Sequence, residues 1–86
     1  MLIARWRIVD CCPPVRMAFE GHLHGREMRV DAIEGEHDWR WQVATPHGHL
    51  LASGVAPERH AAQQAAEDEV LAVHPPTTTL VEDLLA

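Results

Sequence analysis

The chain has 86 residues, 47% of them hydrophobic and 23% charged, a globular composition with enough apolar material for one thin core and not for two. No apolar run approaches the ~18 residues that cross a bilayer, and Arg5 and Arg7 interrupt the apolar N-terminus, which offers no small-residue cleavage site, so neither a membrane span nor a signal peptide is expected. Seven basic residues, all arginine, face thirteen acids for a net charge of −6, a balance that opposes phosphate-neutralising binding to nucleic acid and docking on anionic lipid.

The first half alternates with a period of two, the mark of half-buried strands. Leu2, Ala4, Trp6 and Ile8 share one side of a first strand, which Cys11-Cys12-Pro13-Pro14 ends because proline removes a ladder donor. Val15, Met17 and Phe19 open a second strand, running towards Gly21-His22-Leu23-His24-Gly25, and Met28, Val30 and Ala32 mark a third. The polar stretch Glu34-Gly35-Glu36-His37-Asp38 reads as a turn. Trp39, Trp41 and Val43 alternate with Arg40, Gln42 and Ala44 in the clearest strand of the chain. Thr45-Pro46-His47-Gly48 makes the next turn, and the segment from His49 to Val55 returns as a fifth strand.

The period then changes. From Pro57 to about Val73 the residues are mostly Ala, Glu and Gln, all strong helix formers. Pro57 suits the first helical position and Glu58 the first turn, where the helix dipole favours an acid. Ala62, Ala65, Ala66, Glu69, Val70 and Val73 recur at helical spacing as one face of mostly small residues, with Trp39 and Trp41 filling the space beneath. Gly54 is expected at the bend into this helix. His74-Pro75-Pro76 ends it, and Thr79-Leu80-Val81-Glu82 has the form of a capping box opening a short helix at about 80–85. The sum is a single α+β domain over residues 1–86: a four- to five-stranded antiparallel meander at about 2–55, one long helix on a face at about 57–73, and a short C-terminal helix. Trp6, Phe19, Trp39, Trp41, Val43, Val70 and Val73 form its expected core.

Trp39-Arg40-Trp41-Gln42-Val43, Gly48-His49-Leu50-Leu51-Ala52-Ser53-Gly54 and the alanine-rich helix together resemble a strand–turn–strand–helix unit of small bacterial and phage proteins. That resemblance covers residues 38 to 73 and implies a fold fragment without an activity. The helix is also similar to the last helix of double-stranded-RNA-binding domains through Ala61, Gln63, Ala65 and Ala66. Those domains carry lysines at the helix start, where this chain has Pro57, Glu58 and Arg59, and they begin with a helix where this chain reads as strand. RNA binding is accordingly not expected.

Cys11 and Cys12 are neighbours and cannot staple a fold, and no CxxC accompanies them. Free thiols in a reducing cytoplasm are the expectation. Histidine is the compositional outlier, with seven in 86 residues. His22 and His24, and again His47 and His49, form His-x-His pairs whose members would project to one side of a strand. Four imidazoles brought together would complete a tetrahedral zinc site. A catalytic reading finds little: Ser53 lies outside a Gly-x-Ser-x-Gly elbow, and there is no phosphate-cradling glycine loop. The chain is therefore read as a non-enzymatic protein-interaction module without a cofactor. Its sharpest form is a phage-type inhibitor of a bacterial defence or regulatory system, resembling anti-CRISPR proteins. A small metal-binding protein using the paired His-x-His motifs, with zinc as the possible ion, is the alternative. The expected partner is another protein, with a homodimer as the self-paired form. The turn acids Glu34, Glu36 and Asp38, beside Arg29 and Arg40 on the exposed sheet face, are the expected contact residues.

Overall fold

The computed structural model describes residues 2–73. Five strands precede one helix: β1 (Arg7–Val9), β2 (Val15–Leu23), β3 (Arg26–Ile33), β4 (Trp39–Ala44), β5 (Leu50–Ala56) and α1 (Arg59–Val73). Each strand pairs antiparallel with the next, in the order β1-β2-β3-β4-β5. The fold is thus an α+β meander with one helix on the sheet. The C-terminal helix expected at 80–85 lies outside the described residues.

Strand register assigns each side chain to a face. Phe19 stands opposite Val30 and Val30 opposite Trp41, while Gly21, Met28 and Val43 form the next row on the same side. This side receives α1, which packs on β3, β4 and β5. Met28, Val30, Val43, Ala62, Ala66 and Val70 are fully buried between the two layers. Each large side chain among them adds about 1.5–3 kcal/mol relative to exposure. Trp6 and Trp41 are partly buried and touch both halves of this core, so they tie its two clusters together. Phe19 and Trp39 are also partly buried, with ring centroids 6.3 Å apart.

Four local expectations are corrected. β1 has three residues, because residues 2–6 leave the sheet and cross its helix side as a strap whose backbone N–H groups bond to α1. α1 begins at Arg59, and the Glu58 carbonyl accepts the Ala62 N–H at 3.0 Å, so Glu58 is the N-cap and not a first-turn acid. The buried stripe of α1 is Ala62, Gln63, Ala66, Glu67 and Val70; Ala65 and Glu69 lie at its margin, half-buried. Finally, Gly54 lies within β5. A Cβ there would fall 2.7 Å from the Trp41 indole, so the glycine makes room for a ring on the neighbouring strand.

The turns follow their local chemistry. His24 and Gly25 join β2 to β3 with φ of 50° and 76°, the pair of positive values that a two-residue hairpin turn needs for its twist to match the strands. Between β4 and β5 the Thr45 carbonyl accepts the Gly48 N–H at 2.9 Å, and the Thr45 hydroxyl accepts the His49 N–H at 3.1 Å.

Candidate functional site

With α1 and the N-terminal strap on one side, no element among the described residues packs on the other. That free face carries the polar member of each alternating pair. Arg29 stands between Glu20 on β2 and Gln42 on β4, and Asp31 stands opposite Arg40. Next to Gln42 and Arg40, on β5, come Ser53 and Val55. Charge is laid out in alternating signs, then gives way to an apolar margin at the β5 edge, where Leu50, Leu51 and Val55 are exposed.

Arg29 is the anchor of this surface. Its Nε donates to Asp31 at 2.7 Å and its Nη1 to Glu20 at 3.2 Å. The hydrogen bond to Asp31, chiefly, raises the guanidinium above the usual arginine range against a smaller opposing effect of burial. Its charge and direction are therefore fixed. Around it a shallow depression of about 390 Å³ is walled by Arg7, Glu20, His22, Glu27, Arg29 and Gln42. His22 faces Glu27 across the β2–β3 pair with 3.7 Å between nitrogen and oxygen. A second depression of about 310 Å³ lies between β4 and β5, where Arg40 and Gln42 meet Leu50, Ser53 and Val55. Such a surface suits a polypeptide partner that offers both charges and apolar side chains.

The acidic turn joins β3 to β4 at one end of the sheet, and Glu34, Glu36 and Asp38 are all exposed. Arg40 reaches back to Glu36 through two hydrogen bonds of 3.2 and 2.7 Å. Arg40 and the turn are thus brought together. Arg29 is not part of that group, being engaged with Glu20 and Asp31 further along the face.

The histidine pairs lie at the opposite end, with His22 and His24 at the β2–β3 turn and His47 and His49 at the β4–β5 turn. Although both turns share that end, they are not gathered: no group of three or more His, Cys, Asp or Glu among the described residues is placed to hold a metal ion. Cys11 and Cys12 are free thiols, Cys11 half-buried with its Sγ 3.4 Å from the Val15 carbonyl and Cys12 exposed.

One important residue was hidden in an acidic run. Glu67 is fully buried, and its carboxylate accepts the N–H groups of Ile3 at 2.8 Å and Ala4 at 2.9 Å and the indole N–H of Trp6 at 2.8 Å. Its sequence signal is helical spacing: Glu67 follows Gln63 by four residues and precedes Val70 by three, inside the buried stripe. No family model matches the chain, and neither curated proteins nor solved structures show a significant match to it.

Proposed function

We propose that this chain is a non-catalytic protein-interaction module that engages another protein through the free face of its sheet. The observation that carries the reading is the contrast between the two sides: one is closed by α1 and the strap, while the other holds Arg29 rigidly amid alternating charges. A fixed, oriented guanidinium costs little additional ordering when a partner docks, which favours its use in recognition. The acidic turn extends this face at one end and favours a partner with a basic segment there.

The test is comparative affinity capture. The parent chain and an Arg40→Glu/Gln42→Glu variant serve as baits on the same lysate, and the recovered proteins are quantified by mass spectrometry. Both substituted positions are exposed, so the variant is expected to fold and to lose the proteins that the parent recovers. Equal recovery by the two baits, or no enrichment by the parent over an unrelated bait, overturns the reading.

A further inference from the structure

We propose that β5 is a self-pairing edge, through which two copies of this chain join antiparallel about a twofold axis at Ser53. Among the described residues, β5 ends the sheet and is hydrogen-bonded to β4 alone. Its outer row of backbone N–H and C=O groups is therefore a template for another strand. Edges are ordinarily blunted by brevity, charge, proline or a bulge. β1, the other edge, is three residues long and contains Arg7. β5 has seven residues, Leu50–Ala56, with neither a charge nor a proline among them, and its irregularity against β4 falls at Leu51, near one end, leaving Ala52–Ala56 in regular register. Leu50, Leu51 and Val55 stand exposed along it at 59%, 38% and 62%, and neighbouring exposed apolar side chains of this kind mark interaction surfaces.

The order of side chains identifies the occupant. Leu51-Ala52-Ser53-Gly54-Val55 reads large, small, Ser, small, large in either direction. An antiparallel twofold centred on Ser53 sets Leu51 opposite Val55 of the second copy twice, Ala52 opposite Gly54 twice, and Ser53 opposite its own counterpart. Apolar meets apolar and polar meets polar at every position, the matching that stabilises cross-strand pairs. Moving the axis by one residue to Gly54 would set Ser53 against Val55 and lose that match. Charge does not bar a like partner at the seam. The chain carries −6 overall, yet β5 brings no like charges to the seam, so the remaining repulsion is long-range and screened by salt. The small side chains of Ala52 and Gly54 keep the seam low on the helix side, and the paired molecules would share one ten-stranded sheet with its free face continuous across both copies.

Sedimentation equilibrium on the full chain, from about 1 to 500 µM, tests this. A species of twice the 9.6 kDa chain mass is expected, tightening as salt rises from about 50 to 500 mM. Leu51→Glu/Val55→Glu places carboxylates opposite carboxylates and should weaken the dimer about tenfold or more. Leu51→Lys/Val55→Glu places each introduced ammonium opposite an introduced carboxylate and should restore association. Both variants put the same acid beside Arg40, the β4 neighbour of Val55, so they differ only in the sign at position 51. Circular dichroism checks that each is folded. A chain that stays monomeric throughout, a dimer indifferent to the first variant, failure of the second to recover association, or occupation of β5 only by a strand of another protein would each overturn the proposal.

Discussion

The carboxylate of Glu67 accepts the Trp6 indole N–H at 2.8 Å across a sequence separation of 61 residues. The same carboxylate takes the backbone N–H groups of Ile3 and Ala4, so one helical side chain replaces the strand that the N-terminus would otherwise need. Trp6 in turn lies against Gly21 on β2, where a Cβ would sit 3.1 Å from the ring. This single acid joins the helix to the strap, and Trp6 carries the strap onto the sheet.

Glu67→Ala is expected to cost about 2–4 kcal/mol, since three donors in partly buried hydrogen bonds lose their acceptor. Glu67→Gln keeps the shape but offers one acceptor oxygen in place of two, and should cost less, about 1–2 kcal/mol. Urea denaturation monitored by tryptophan fluorescence measures both. Hydrogen exchange adds a local readout, because the amides of Ile3 and Ala4 should lose protection before those of β3. Unchanged exchange at these amides in Glu67→Ala would contradict the role assigned to the carboxylate.

Gly54→Ala should be more damaging than Gly21→Ala, although both glycines face an indole. At Gly54 the added methyl would meet three Trp41 ring atoms at 2.7 to 2.8 Å, whereas at Gly21 the nearest Trp6 atoms are at 3.1 to 3.4 Å. The first requires the ring to move within the core; the second requires a displacement of a few tenths of an ångström. We expect losses of about 1–3 kcal/mol and under about 1 kcal/mol respectively. Denaturation midpoints of the two variants give the comparison, and a reversed order would show that Trp41 is the freer ring.

The five strands and the helix were legible because their periods are long and distinct: two from Val15 to Val55, then 3.6 from Arg59 onward. What eluded the sequence was any contact between distant segments. Leu2, Ala4, Trp6 and Ile8 alternate as a strand does, but alternation cannot tell that a buried acid 61 residues away claims the indole of Trp6. Helical spacing placed Glu69 on the packed face of α1, and only the phase of the buried stripe shows that Glu67 is the acid that turns inward. Gly54 looked like a hinge because glycine before a helix so often is one, whereas its purpose is set by a cross-strand neighbour. At the surface, the acidic turn and its contact with Arg40 were readable from local sequence. That the two histidine pairs are not gathered into a metal-holding group among the described residues was not.

Two arginines on the free face should differ in their contribution to stability. Arg29 is held at 2.7 Å by Asp31, whose side chain is only 16% exposed, while Arg40 and Glu36 are 54% and 42% exposed. Arg29→Gln should cost about 1–2 kcal/mol, and Arg40→Gln under about 0.5 kcal/mol. Because Arg29 is shifted upward, its electrostatic contribution is fully present below the ordinary arginine range and is lost only above it. The difference between parent and Arg29→Gln arising from that shift should therefore stay constant from about pH 5 to pH 9. A difference that faded within this interval would mean that the guanidinium is not the source of the effect.

The acidic turn should act on the rate of partner encounter more than on the lifetime of the complex. Glu34, Glu36 and Asp38 project from one end of the sheet and are exposed, so they remain hydrated and little is lost or gained by holding them there. Their field extends over about a Debye length, roughly 8–10 Å at physiological salt, which is far enough to orient an approaching basic segment but adds little once contact is made. Glu36 is partly neutralised by Arg40, leaving Glu34 and Asp38 as the stronger contributors. Reversing all three to arginine should slow association with a basic partner about tenfold and change release much less. Raising salt should slow the parent in the same way and should not slow the reversed chain, whose turn now repels the basic partner. This is opposite in sign to the effect of salt on the β5 pairing, where screening removes repulsion between two acidic copies. Surface plasmon resonance with the captured partner separates the two rates. An association rate insensitive to both salt and the triple reversal would show that the turn is a solvated loop with no part in recognition.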